Sequence, residues 1–267
     1  MCATLRSIAL AALMPLGCSS SSTPGQATPV APSDASTQPD LARAESDAGT
    51  DAPMEQTCGE PPFVTLGIVV QAAAADNMGT PVEGARLTTP LCPDKTQVSG
   101  PGGHITGRVS KGVPFYVRFE ATNYIPTLVS EQQFDVDTSP ILAPLPPSLF
   151  SALIPEFGPD KTAIFIGVMP NGGTGACNSL DGVRFEVIDH PEAKTTYYSN
   201  DAIPAAMGGT STTESGRAVI TKLAPGPMVT VRGTKDGCTV KLASGSYTGR
   251  SPLEAGFVTL TPAYLGN

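Results

Sequence analysis

Two stretches of this chain, about 100 residues apart, present the same order of turns and alternating segments, and that repeat limits what the chain can fold into. The later copy lies within Ser179–Gly233. It reads S-L-D-G-V-R-F-E-V-I (Ser179–Ile188), T-T-E-S-G-R-A-V-I (Thr212–Ile220) and L-A-P-G-P-M-V-T-V-R-G (Leu223–Gly233). The earlier copy reads T-P-V-E-G-A-R-L (Thr80–Leu87), S-G-P-G-G-H-I-T-G-R-V (Ser99–Val109) and V-S-K-G-V-P-F-Y-V-R-F (Val109–Phe119). Each is a turn, a strand, a Gly-centred turn, a strand, a Pro/Gly loop and a further strand. The order predicts an all-β chain with two tandem β-sandwich domains, at 58–147 and 162–267. Composition agrees, because 28 Gly and 27 Pro are costly inside helices. The short runs between them are rich in Val, Ile, Thr, Phe and Tyr, as strands are.

Individual segments sharpen the prediction. Phe63–Gln71 has the length of a sandwich-core strand, and Ala163–Met169 is its counterpart in the second copy. Val113, Phe115, Val117 and Phe119 alternate with polar neighbours and are expected on one face. Phe134–Leu142 is expected to close the first domain. Residues 148–161 form a linker with one short helix at Ser148–Leu153, capped by Ser148. The stretch A-A-A-A-D-N-M-G (Ala72–Gly79) and the long segment Tyr197–Ser211 are expected to be loops.

The N-terminus reads as a targeting segment. Arg6 supplies a positive region, Ile8–Leu16 an apolar one and Gly17-Cys18 a processing site. No stretch approaches the ~20 apolar residues a spanning helix requires. L-M-P-L-G-C followed by Ser19-Ser20-Ser21-Ser22 resembles a bacterial lipoprotein signal, with Pro15 and Leu16 departing from the usual residues. The resemblance implies a signal peptide at 1–17, lipidation of Cys18 and export to the cell envelope. Ser19 after the cysteine fits outer-membrane sorting in the enteric version of that rule. Removing 1–17 takes away Arg6 and no acid, so 15 basic groups face 24 acidic ones, a net −9. That balance argues against a nucleic-acid partner. Residues 18–57 are Ser, Thr, Pro, Ala, Asp and Gly with almost no large apolar side chain, and are expected to form a disordered tether.

The motif order also resembles the carboxypeptidase regulatory-like, or transthyretin-like, β-sandwich. Gly79–Leu87 and Leu180–Val187 match that family's first turn-strand, the second copy lacking its Pro. Ser99–Val109 and Thr213–Ile220 match its second motif, and Lys111–Phe119 and Ala224–Val231 its third. Ala121-Thr122-Asn123-Tyr124 stands where the family has Gly-Tyr. Such sandwiches serve many functions, so the resemblance implies a scaffold and no particular chemistry.

Four cysteines remain beyond Cys2 and Cys18, an even count that reads as disulfides in an exported chain. Three connectivities are open. One bridge per repeat, Cys58–Cys92 and Cys177–Cys238, is favoured because each repeat carries its own pair. With no C-x-x-C and only His104 and His190, one in each half, no metal or redox site and no cofactor is expected. Both histidines read as solvated turn residues. No nucleophile elbow, phosphate loop or dinucleotide fingerprint is formed. Asp181, Glu186, Asp189 and Glu192 fall close together and are the residues a polymer hydrolase would draw on; the ordinary reading is solvated acids. Adjacent Tyr197 and Tyr198 should point to opposite faces. One of them is a candidate surface contact for sugar or protein, beside Asn200 and Asp201. The functional expectation is a non-catalytic, lipid-anchored envelope protein that contacts an envelope protein or polysaccharide. The alternatives are a carboxylate hydrolase or a structural spacer.

Overall fold

The computed structural model describes residues 56–73, 79–138, 140–171, 174–198 and 209–266. In chain order the described strands are β1 (Gln56–Cys58), β2 (Phe63–Ala72), β3 (Arg86–Thr89), β4 (Cys92–Val98), β5 (His104–Ser110), β6 (Phe115–Glu120), β7 (Thr127–Gln132) and β8 (Ile141–Leu145). They continue as β9 (Thr162–Pro170), β10 (Arg184–Val187), β11 (Lys194–Tyr197), β12 (Arg217–Leu223), β13 (Gly226–Thr234), β14 (Thr239–Lys241), β15 (Arg250–Leu253) and β16 (Val258–Gly266). The fold is all-β. The only helices among the described residues are three short 3-10 segments, at Pro101–Gly103, Ser148–Leu153 and Gly175–Asn178.

The strands make three sheets. One is β1-β5-β2-β8, one is β10-β13-β15, and the third runs β11-β12-β9-β16-β7-β6-β3-β4 with β14 added against β16. Alternation decides the first core. On β2, Val64, Leu66, Ile68, Val70 and Ala72 point inward while the residues between them are half-buried. They meet Leu87, Phe115, Val117, Phe119 and Val129 of the long sheet. The second core joins Ile164, Ile166, Val168, Ala218, Ile220, Ala263 and Leu265 to Phe185, Val187, Val229, Val231 and Leu253 of the three-stranded sheet.

The long sheet carries both cores, on opposite faces. Val258, Thr259 and Leu260 of β16 pair in parallel with Thr127, Leu128 and Val129 of β7. On its other side β16 pairs in parallel with β9 over eight residues. Val129 belongs to the first core, whereas its neighbour Ser130 bonds to Ser251 and Thr261 on the opposite side. Thr261 lies opposite Ile166 of the second core. All six residues of β7 are therefore buried, with one face on each sandwich. A third cluster packs Ile125, Phe150, Ile154 and Phe157 onto Ala163, Val219, Val258 and Leu260. Residues 148–161 thus cover the sheet and are not a free spacer.

Several expectations are corrected. The Ser148–Leu153 helix is 3-10, its N-cap is Pro147, and no side chain caps it. Val113 precedes β6 and is 39% exposed, so the apolar face starts at Phe115. The end of the first copy is formed by β7 (Thr127–Gln132) and β8 (Ile141–Leu145), and Phe134–Leu142 overlaps only the start of β8. The sequence pattern does not announce β1, β4, β7, β11, β14 or β15.

Glycine is required at the entrance to β5. Gly103 has φ of +73°, and a Cβ there would sit 2.2 Å from the Val70 carbonyl oxygen. A residue with a Cβ could not combine that backbone conformation with so close an approach to another backbone.

Candidate binding surface

The two bridges join Cys58 to Cys92 and Cys177 to Cys238. The first links β1, at the edge of the four-stranded sheet, to β4, at the edge of the long one. Lys95 Nζ reinforces it by donating to the Thr57 carbonyl at 2.9 Å. The second lies against the end of β16, where the Cys177 Sγ is 3.2 Å from the Gly266 carbonyl oxygen. Cys18 and residues 1–55 lie outside the described residues, as do Asn200, Asp201 and 74–78.

Tyr197 and Tyr198 separate as alternation requires. Tyr197 is 5% exposed, so it is withdrawn as a surface contact, and its position explains its structural task. β10 is the edge of its sheet, and the outward N–H of Phe185 donates to the Tyr197 hydroxyl at 2.8 Å. Thr195 Oγ1 donates to the Phe185 carbonyl at 3.1 Å. Side chains of β11 thereby occupy the free polar groups of β10, a way of blocking edge-to-edge pairing. Burial raises the Tyr197 pKa, the bond from Phe185 opposing the shift. Tyr198 is half-buried against the third cluster, and its burial pushes its hydroxyl up to about 12.

The acids singled out in sequence are held by different basic groups. Lys235 Nζ lies 3.8 Å from an Asp181 carboxylate oxygen, Glu186 pairs with Arg232, and His190 Nδ1 lies 2.8 Å from Glu192 Oε1. The bond to His190 holds the Glu192 carboxyl below its ordinary pKa. Asp189 is an exposed turn residue with φ of 64°. His104 is exposed on β5. Among the described residues no group of three His, Cys, Asp or Glu is placed to hold a metal ion. Two cavities of about 20 Å³ each lie inside the first sandwich, against Leu66, Ile68, Phe115 and Val117. Each is the size of a single water and is lined mainly by apolar side chains.

The open surface with organised chemistry is the outer face of β10-β13-β15. Phe185, Val187, Val229 and Val231 point into the core, which turns Arg184, Glu186, Thr230, Arg232 and Thr234 outward. Register then aligns them. Arg184 lies opposite Thr234, and Glu186 opposite Arg232; Arg250 lies opposite Thr230. Arg184, Arg232 and Arg250 therefore fall on one diagonal across three strands, with steps of about 7–8 Å between neighbours. Arg232 bonds to the exposed Glu186. Arg250 contacts Glu131 Oε1 at 3.4 Å, and that carboxylate is buried and accepts a 2.8 Å bond from Thr248 Oγ1. Arg184 has no ion pair among the described residues. Sequence reading missed this row because its members come from segments 18 to 66 residues apart, and β15 was not foreseen. The alternation R-F-E-V in Arg184–Val187 was the available signal.

No protein-family model and no curated protein sequence matches the chain. Among solved structures it is similar to the Bacillus anthracis TIE protein, at 12% identity and a TM-score of 0.26, over 76% of this chain and 34% of that one. The chain thus spans about a third of that protein's length. It is also similar to GBS52, the minor pilin of Streptococcus agalactiae, at 14% identity and a TM-score of 0.26, over 76% of this chain and 96% of that one. A family CBM26 module of Amy13K from Eubacterium rectale, solved with maltoheptaose, gives 10% identity and a TM-score of 0.21, over 76% and 96%. Scores this low establish no shared topology, and the functional reading rests on the residues themselves.

Proposed function

We propose that this chain is a non-catalytic envelope protein, anchored by lipid at Cys18, that displays two transthyretin-like sandwich domains, at 58–147 and 162–267, for contact with envelope protein or carbohydrate. The observation that carries the reading is the layout of the long sheet. β16 pairs with β7 and β9 together, so one sheet serves both sandwiches. A disulfide closes each half, which suits an oxidising compartment. The result is one continuous body whose outward sheet residues include polar side chains such as those of β10 and β13. The tether of residues 18–57 would join this body to the outer membrane. Among the described residues no helix is long and apolar enough to cross a membrane, and lipid at Cys18 would supply the attachment instead.

The test is fractionation of cells making the wild type or Cys18→Ala, combined with metabolic labelling by a radioactive fatty acid. Wild type should enter the membrane fraction and carry label, and the variant should do neither. An unlabelled wild type found in the soluble fraction would end the anchoring proposal. Cross-linking in intact cells followed by affinity recovery addresses the other half. One stoichiometric protein partner would make the chain part of an assembly, and shortening of an envelope polymer by the pure protein would refute the non-catalytic reading.

A further inference from the structure

We propose that the outer face of β10-β13-β15 is a docking surface for a carboxylated polysaccharide, gripped by the diagonal of Arg184, Arg232 and Arg250. The inference rests on the reading of the chain as an envelope binding module and names the face and the ligand class.

Charge and geometry carry it. The sequence has a net charge of −8, yet three guanidinium groups share this face with Glu186 as the one acid among its outward residues on β10 and β13. Arginine presents a planar fork of N–H donors that matches a carboxylate. Two of the three arginines already engage one, Arg232 with Glu186 and Arg250 with Glu131. Glu131 is 7% exposed and engages Arg250, whose side chain stays 54% exposed. Glu186 is 55% exposed, and an exposed pair of this kind contributes little, so an incoming carboxylate can take its place. The three sites run in line over about 15 Å, two diagonal steps, a span that engages an extended polymer and not a single small ion.

The remaining side chains select the polymer. Thr230 and Thr234 stand between the arginines, exposed, and their hydroxyls can donate to and accept from sugar hydroxyls. Nucleic acid is disfavoured twice: the chain is acidic overall, and the outward residues of β10 and β13 include no aromatic on which a base could stack. An added peptide strand is disfavoured because Tyr197 and Thr195 occupy the free edge of β10.

The experiment measures binding of the full chain carrying Cys18→Ala to polygalacturonate at low ionic strength, with dextran and polyphosphate as comparison polymers. Polygalacturonate should bind, dextran should not, and binding should weaken as salt rises. Arg184→Ala should raise Kd about tenfold and Arg184→Ala with Arg232→Ala about a hundredfold, as loss of one and two charge-assisted contacts. Arg108→Ala should leave Kd unchanged, since Arg108 lies on β5 over the Phe63 ring, in a different sheet. Arg250 is better changed to Lys than to Ala, because truncation would strip a partner from buried Glu131; Arg250→Lys should weaken binding about threefold through loss of the fork. Thermal unfolding of each variant confirms that it is folded. Equal binding of dextran, equal binding of polyphosphate, or full retention by the double variant would each overturn the proposal. An envelope glycan held equally by wild type and double variant would sink this face while leaving the binding-module reading intact.

Discussion

The hydroxyl of Tyr197 should be worth more to this fold than its size suggests. It accepts the Phe185 N–H at 2.8 Å in a buried setting, at the edge of a sheet where no further strand follows among the described residues. Tyr197→Phe keeps the ring and deletes only the acceptor. The N–H is then left buried and unpaired, at a cost of about 1–3 kcal/mol. No cavity beyond one oxygen is created, so packing adds little, and about 2 kcal/mol is the expected sum. With a urea m-value near the upper end of the ~1–3 kcal/mol/M range for a body of this size, the midpoint should fall by roughly 0.8 M with m unchanged. The thermal midpoint should drop by about 4–8 °C. Thr195→Val tests the other half of the cap, since Thr195 Oγ1 donates to the Phe185 carbonyl at 3.1 Å in a part-buried setting. Water can reach that carbonyl more easily, so about 1 kcal/mol is expected. The double variant should also self-associate, because the edge of β10 then presents both groups of a peptide unit to another strand. Equilibrium unfolding followed by circular dichroism, with light scattering for association, decides the matter. A Tyr197→Phe midpoint within 0.2 M of wild type, roughly a quarter of the expected shift, would show that the edge is not capped in this way.

Other consequences follow from particular contacts. Gly103→Ala should destabilise by about 3 kcal/mol or more or prevent folding, because positive φ and the approach to Val70 add together; a melt unchanged within 2 °C, less than 1 kcal/mol, would contradict it. Lys235 Nζ is 8% exposed at the side chain and donates to the Ser179 and Asp181 carbonyls at 2.6 Å each. Lys235→Met should therefore cost about 2 kcal/mol in urea unfolding, for the carbonyls left unpaired, and no loss would mean water replaces the ammonium freely. Cys177→Ser with Cys238→Ser opens a ring whose ends are 61 residues apart and should lower stability by up to about 4 kcal/mol in the chain-entropy model. Non-reduced peptide mapping should recover Cys58–Cys92 and Cys177–Cys238, and a Cys58–Cys238 peptide would refute both.

The alkaline limb of stability has a sign that the tyrosines fix. Tyr116, Tyr197, Tyr198, Tyr247 and Tyr264 are all raised above the ordinary phenol value, chiefly by burial, with Tyr116 and Tyr198 at about 12. A phenol raised in the folded state keeps its proton while the unfolded chain loses its own near pH 10. The stabilisation is thus complete below about pH 10 and is lost as pH climbs toward 12. Urea midpoints should be level with respect to these groups up to about pH 9.5 and then fall. The tyrosinate absorbance of the folded protein should lag behind that of the unfolded chain. Midpoints that rise between pH 10 and 11.5 would contradict the assigned burial.

The strands that sequence revealed are those with one wet face. β2, β6 and β10 show period-two patterns because every second side chain meets solvent or a half-buried surface. β7 has no such face. Its T-L-V-S-E-Q is buried throughout, yet three of its six side chains are hydroxyls or a carboxylate, which sequence reads as surface. Their partners make the burial tolerable: Thr127 bonds locally to the Ile125 carbonyl, while Ser130 bonds far along the chain to Thr261 and Glu131 to Thr248 and Arg250. The arginine row was hidden for the same reason, because register between β10, β13 and β15 assembles it and composition does not. Tyr197 and Tyr198 were legible as a pair with opposite directions, but the edge that the inward one caps was not.

β7 and β16 together explain why the two repeats are not independent beads. Ser130 of β7, Ser251 of β15 and Thr261 of β16 form a buried hydroxyl cluster, with contacts of 2.6, 2.9 and 3.4 Å. Nearby, Glu254 accepts from the Tyr116 hydroxyl at 2.8 Å and pairs with Arg118. All of these but the Ser251–Thr261 contact cross from residues of the first repeat to residues of the second, and hydroxyls buried in this way are costly if the halves part. β16 is the strand that hydrogen-bonds to both β7 and β9. Within the long sheet the strands of the two repeats are therefore joined through β16. Unfolding should accordingly be one cooperative transition and not two, which calorimetry of the full chain can measure as equality of the calorimetric and van't Hoff enthalpies. Two resolved transitions would show that the β7–β16 seam is weaker than either sandwich. A single one would mean that both sandwiches, and the arginine face with them, hold together as one cooperative unit.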